Sequence, residues 1–175
     1  MTGRKEEKMR DRLTASDIKK MEEEIEYRKV TLRAELLEHV KVARAQGDLS
    51  ENFEYKAAKQ EKNRNESRIR YLEQMIRTAE VIDDSSNDGE VGINNKVTVE
   101  FTDDHSTATF KIVTTVRANS LKNMISIESP LGKALMKHKT GDTVHVIVDE
   151  NISYDVIIKE IDDCSDDSED AIRQY

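Results

Sequence analysis

The sequence predicts an α + (α+β) chain: an N-terminal antiparallel coiled-coil hairpin followed by a small α+β domain. Three observations predict it. From Leu13 to Ile82 there is no proline and a single glycine, Gly47, near the middle. Apolar residues recur at helical spacing on both sides of that break. After the polar run Asp83-Asp84-Ser85-Ser86-Asn87-Asp88-Gly89 the hydrophobic period changes to two.

In the first arm Ile18, Met21, Ile25, Leu32, Leu36 and Val40 form the apolar stripe, and Thr14 or Ser16 can cap its start. In the second arm Ala58, Ile69, Leu72, Ile76 and Ala79 repeat the pattern. Gly47 falls where one helix stops, and Asp48 or Ser50 where the next begins. Two helices with one short connection make an antiparallel pair. About 30 residues per arm at ~1.5 Å each give arms on the order of 45 Å long. Arg28, Glu61 and Asn65 fall at or near the seam, which predicts weak packing toward the far end. The hairpin is assigned to residues 1–82 and a linker to 83–92. A compact domain follows over 93–161, with strands at Lys96–Phe101, Thr107–Val113, Met124–Ile127, Thr143–Val148 and Ile152–Ile158. A short helix, Leu131–Met136, is started by Ser129 and Pro130. The tail, 162–175, carries a dense acidic run through Asp170 and is expected to be disordered.

Composition narrows the function. Hydrophobic residues make up 36% and charged residues 37% of 175, with no Trp and a mean hydropathy of −0.75. That is too polar for one large core. No apolar run approaches the ~20 residues a membrane span needs, and the N-terminus lacks the apolar stretch of a secretory signal. A cytoplasmic protein without membrane association is expected. One cysteine, Cys164, excludes an internal disulfide and a cysteine-based metal site. The net charge of −8 is divided unevenly: +2 over residues 1–80 and −10 over 81–175. Any contact with nucleic acid phosphates therefore belongs to the first half.

The turn reads Gly47-Asp-Leu-Ser-Glu-Asn-Phe-Glu-Tyr55. Asp48 and Glu51 stand three residues apart, so both carboxylates can point outward from the end of the hairpin. The same spacing suits a capping-box variant, with Asp48 at the N-cap and Glu51 three residues on, and both charges suit a helix N-terminus. Spacing alone leaves both readings open.

The run Ala43-Arg-Ala-Gln-Gly-Asp-Leu-Ser-Glu-Asn-Phe-Glu-Tyr-Lys-Ala-Ala58 resembles the hairpin-tip signature of the Gre transcript-cleavage factors, GreA type. So does Ala79-Glu-Val-Ile-Asp83, and Ile125-Ser-Ile-Glu-Ser-Pro-Leu-Gly-Lys-Ala-Leu135 with Thr140-Gly-Asp142 is similar to that family's C-terminal domain. The resemblance runs from about Leu13 to Ile161. It implies an FKBP-like C-terminal domain and a factor whose hairpin enters the secondary channel of bacterial RNA polymerase when the nascent RNA 3′ end is extruded. It further implies that Asp48 and Glu51 help hold the second Mg²⁺ of the polymerase site, which activates water to cut the RNA. Mg²⁺ keeps most of its waters and needs only one or two carboxylates. The free chain is then expected to bind no cofactor, to be no enzyme by itself, and to act as a monomer. Asn52, Glu54 and Tyr55 match the motif as tip-positioning residues. Ser129 and Pro130 are the docking candidates, although Leu131, Leu135 and Met136 of that segment equally suit a core-facing helix.

Lys56, Lys59, Arg70 and Arg77 fall within about 60° of one another on the second arm, either as a solvated face or as a modest basic stripe guiding extruded RNA. Phe53 replaces a small residue of the family and is expected to be exposed. His39, His105, His138 and His145 show no ligand spacing and are expected to be incidental. The sequence departs from the family at Val113-Thr-Thr-Val-Arg-Ala-Asn119, at Met136-Lys-His-Lys139 and at the turn Asp149-Glu-Asn151, where glycines are usual. These departures suggest a divergent paralogue. Three other readings remain: a channel regulator that binds polymerase without inducing cleavage, a prolyl isomerase suggested only by the implied fold, and a plain coiled-coil adaptor.

Overall fold

A computed structural model describes residues 11–45, 52–85, 89–163, 167–168 and 170–173. The described chain forms two units, one made mainly of residues 16–80 and one of 81–175 together with Arg12–Ala15. Two short strands, β1 (Arg12–Leu13) and β2 (Glu80–Val81), pair where the chain passes between the units. The Glu80 N–H donates to Asp11 O and the Ile82 N–H to Leu13 O, both at 2.9 Å. Strands of two residues carry no readable period; the sequence predicts the end of the second arm at Glu80–Val81 and places Arg12–Leu13 just before the first helix.

In the helical unit the first arm is α1 (Ala15–Tyr27), a π-helical turn (Arg28–Leu32) and α2 (Arg33–Ala45); the second arm is α3 (Phe53–Thr78). Met21, Leu36 and Ala43 are buried on the first arm, and Ala58, Ile69, Leu72 and Met75 on the second. Ile18, Ile25, Leu32, Val40, Ile76 and Ala79 are half-buried, so the expected stripe is the observed one with Ala43 and Met75 added. The π turn has a reason in the spacing. Arg28, Leu32, Leu36 and Val40 follow one another at four residues, and an α-helix at ~100° per residue would drift ~40° per step off the seam. A wider turn absorbs that drift, as stutters do in coiled coils.

The polar seam residues are satisfied inside the pair. The Asn65 side chain is buried; its Nδ2 donates to Arg28 O at 3.3 Å and its Oδ1 accepts from Arg28 Nη1 at 3.1 Å. Arg28 O also accepts from the Arg33 N–H, the bond that closes the π turn. Arg28 Nε donates to Glu24 Oε1 at 2.7 Å, and Arg68 grips both Glu24 oxygens at 2.9 and 3.0 Å. Glu61, by contrast, is exposed and off the seam. Arg33 meets Glu66 through two bonds of 2.7 and 2.8 Å farther along. The expected weakness is thus a bonded polar layer, since buried amides and charges must find partners.

In the other unit five strands order as β5-β4-β3-β7-β6: β3 (Lys96–Phe101), β4 (Thr107–Val113), β5 (Met124–Ser126), β6 (Thr143–Ile147) and β7 (Ser153–Asp162). All neighbours are antiparallel except β4 and β5. Val97, Val99, Val144, Val146, Val156 and Ile158 alternate inward, under Leu131 and Leu135 of α4 (Pro130–Leu135). Val91 and Ile93 belong to this core as well, so the domain begins before residue 93 and takes in the end of the assigned linker. β7 runs four residues beyond the expected Ile158 because its polar end still pairs, Lys96 lying opposite Asp162.

At two of the family's missing glycines other devices close the turns. The Asn151 and Ile152 N–H groups both donate to Asp149 Oδ1. Lys137 follows α4 in a left-handed conformation, φ 67°. A side chain there costs ~1 kcal/mol relative to glycine, so Lys137→Gly should raise the thermal midpoint by a few degrees; no rise would show the strain to be relieved elsewhere.

Glu24 makes the hairpin sensitive to acid. Burial acts to raise its pKa, but hydrogen bonds from Arg68 and Arg28 outweigh burial and hold it below the ordinary glutamate range. A carboxylate lowered on folding stabilises the fold above its unfolded pKa and loses that contribution as pH falls through the folded one. Helical circular dichroism melts should therefore show stability falling below about pH 4.3, the ordinary glutamate value, and Glu24→Gln should flatten the fall.

Candidate functional site

The site is built on the two helix ends that flank the turn. α2 ends at Ala45 and α3 begins at Phe53. Asp48 and Glu51, the two carboxylates singled out in the sequence, lie outside the described residues. What frames them is described. Asn52 caps α3: its Oδ1 accepts from the Tyr55 N–H at 2.9 Å. Its Nδ2 donates to Ala43 O on the opposite arm at 2.7 Å. One amide therefore starts the second helix and ties it across the turn to the first.

This changes the reading of the acidic pair. The capping box required Asp48 at the N-cap and Glu51 three residues on. The N-cap is Asn52, and the third helical residue is Tyr55. The motif gives Asn52 a tip-positioning role; it is also a good N-cap residue, but Asp48 and Ser50 have equal propensity. The Ala43 carbonyl, nine residues back, decides between them.

Glu54 lies in the first turn of α3 and is exposed, where its charge suits the helix N-terminus. Phe53 is 81% exposed, as expected, with Lys56 Nζ 5.7 Å from its ring centre. Tyr55 is half-buried, and Lys59 Nζ lies 6.0 Å from its ring. Such contacts hold the two lysines over aromatic faces at modest gain. Lys56, Lys59, Arg70 and Arg77 are all exposed on α3. Arg70 donates to Ser67 Oγ at 3.1 Å.

The Ser129 hydroxyl is engaged within its own unit. It accepts from the Gly132 N–H at 3.0 Å and donates to Ser126 O at 2.6 Å. Pro130 at the first helical position is exposed. Gly132 is obligatory, since a Cβ there would stand 2.0 Å from Ser126 O. His105, His138 and His145 each meet one carboxylate, Glu100, Asp142 and Asp155. Among the described residues no group of three or more His, Cys, Asp or Glu could hold a metal ion, and no helix is long and apolar enough to cross a membrane.

Comparison with known proteins places this arrangement. The family model for the N-terminal domain of transcription elongation factors matches residues 12–81, and that for the GreA/GreB C-terminal domain matches 86–163. Transcription elongation factor GreA of Clostridium novyi is 45% identical over 143 residues, covering 81% of this chain and 89% of its own. GreA of Thermotoga maritima is 40% identical over 147 residues, covering 83% and 94%. A crystal structure of GreA factor homolog 1 of Thermus thermophilus aligns over 87% of this chain and 99% of its own, at 24% identity and a TM-score of 0.41. The class is that of transcription elongation factors. Within it, the chain belongs to the GreA/GreB family.

The Asn52 cap separates stability from charge at the tip. Asn52→Ala should cost about 1 kcal/mol for the cap, plus the loss at Ala43 O, and should speed amide exchange in the first turn of α3. Asp48→Asn and Glu51→Gln should leave the melting curve unchanged; a loss as large as that of Asn52→Ala would return them to a capping role.

Proposed function

We propose that the chain enters the secondary channel of RNA polymerase and stimulates Mg²⁺-dependent cleavage of backtracked nascent RNA, rescuing arrested complexes. The observation that carries this reading is the Asn52 cap within the family's tip motif. It supplies the Tyr55 N–H of α3 with its partner, so the N-cap position is filled by Asn52 and not by Asp48. Two hard carboxylate oxygen donors fit Mg²⁺, which favours oxygen and tolerates a sparse protein contribution.

In this reading Asp48 and Glu51 lend their charge to a metal shared with the polymerase active site, and the free chain binds none. When bound there, Mg²⁺ polarises water for attack on the RNA phosphodiester and stabilises the leaving oxygen. The chain's own residues do the positioning. Asn52 holds the turn to both arms, Glu54 and Tyr55 shape the first helical turn, and the polar layer at Asn65 keeps the arms in register. Lys56, Lys59, Arg70 and Arg77 offer a weak cationic face to extruded RNA. Docking falls to the C-terminal domain around exposed Pro130, with Ser129 holding the segment's shape rather than offering a free hydroxyl. The FKBP-like character of that domain rests on family resemblance and entails no isomerase activity. The protein acts as a monomeric, cytoplasmic accessory and is not itself a nuclease.

The test uses a halted, backtracked polymerase carrying end-labelled RNA. The wild-type chain should accelerate 3′-end cleavage and should not cut free RNA in Mg²⁺. Asp48→Asn and Glu51→Gln should bind polymerase normally and lose cleavage stimulation by orders of magnitude, as loss of a ligand to the water-activating metal implies. Normal cleavage by both variants would overturn the assignment. Wild-type binding without cleavage would make the chain a channel regulator instead.

A further inference from the structure

The described residues of the acidic tail, 167–168 and 170–173, make specific contacts with the domain that its composition alone does not suggest. Arg117 follows β4 in a short 3-10 turn, Thr115–Arg117, and its side chain is fully buried. A buried guanidinium requires carboxylate or carbonyl partners. Nη1 donates to Asn94 Oδ1 at 2.7 Å and to Asp170 Oδ2 at 3.2 Å, with Asp167 Oδ2 at 3.5 Å. Asp170 Oδ2 also accepts from Lys111 Nζ at 2.8 Å. Beyond these ion pairs the Arg173 N–H donates to Val116 O at 2.7 Å, and Ile172 is buried. The tail's own charges predict solvation; Arg117, distant in sequence, supplies the cation that Asp167 and Asp170 meet.

An open cleft of about 520 Å³ remains beside the seated segment, lined by Arg117, Asn119, Lys122 and Met124 on one side and by Ala171 to Arg173 on the other. The cations belong to the domain that matches the family, which ends at residue 163, while Asp167, Asp170 and Ile172 lie beyond it. The segment therefore meets the domain as a short peptide meets a receptor: two carboxylates on a cationic floor, one aliphatic anchor and one main-chain hydrogen bond.

We propose that the surface around Lys111 and Arg117 is a binding site for acidic peptides, occupied in the free protein by the chain's own Asp167, Asp170 and Ile172. The pattern it reads is Asp-x-x-Asp-x-Ile, the spacing of Asp167, Asp170 and Ile172. An acidic segment of a partner protein takes the site when the resident one lifts. This inference stands independently of the cleavage reading, since it concerns neither Asp48 nor Glu51.

The experiment uses the full chain. Cys164 is the single cysteine, so a nitroxide placed there reports the motion of the segment by spin resonance. In wild type the label should be restrained at low salt and released by high salt. Asp167→Asn with Asp170→Asn should release it at low salt, with the folded state checked by circular dichroism. A fluorescent peptide of residues 163–175 should then bind this variant and not wild type. Adding Lys111→Met, or using a peptide scrambled in order, should weaken binding at least about tenfold, as expected when charge-assisted bonds are lost. A label equally restrained in the double variant, absence of peptide binding to the released chain, or equal binding of the scrambled peptide would each overturn the proposal. A wild-type chain that binds the peptide as tightly as the variant would also overturn it, because the resident segment would then not occupy the site.

Discussion

Asn65 presents a buried amide whose donor and acceptor are both met by Arg28, one by its main-chain carbonyl and one by its guanidinium. An apolar seam tolerates sliding by a turn, because one leucine packs much as another does. A buried amide does not, because a slipped register leaves it unpaired at a cost of about 1–3 kcal/mol. The π turn holds Arg28 O for this bond, and Arg28 in turn joins Asn65 to Glu24 and Arg68. Register at this layer decides which residues face each other at the turn. Asn52 then bonds Ala43 O, and the acidic pair is enclosed between those two residues in sequence.

The two units solve the problem of a charged, aromatic-poor sequence differently. The hairpin has few large apolar residues and fills part of its seam with ion pairs. Exposed pairs such as Lys29–Glu73 contribute little; the Glu24 cluster, shielded on both arms, carries the specificity. The sheet unit packs an alternating Val and Ile core and places its polar devices at the ends of elements: the Ser129 cap, the Asp149 turn and the Arg117 clasp. There, side-chain bonding and tolerated positive φ replace the family's glycines, so the divergent segments fold by other means.

Much of this was legible in the sequence because periodicity reports burial. The stripe from Ile18 to Val40, the alternation in β3, β6 and β7, and the Ser129-Pro130 helix start were all read from it. The misreadings share one physical cause, a partner distant in sequence. Asn52, Asp48 and Ser50 compete as caps on equal local terms until Ala43 O favours one. Asn65 looks like a flaw until Arg28 is opposite. Asp170 looks solvated until Arg117 is beneath it, and Val91 looks like linker until it meets the core. At the tip, the motif identified the acidic pair, while the cap at Asn52 required coordinates.

The most direct measurement is the Mg²⁺ dependence of single-turnover RNA cleavage in a halted polymerase complex, with and without the chain. If Asp48 and Glu51 complete a metal site, the chain should lower the Mg²⁺ concentration needed for half-maximal rate, and Glu51→Gln should move it back toward the value without the factor. An identical Mg²⁺ dependence in all three cases, with only the maximal rate changed, would contradict the account and leave the hairpin as a positioning rod without a metal role.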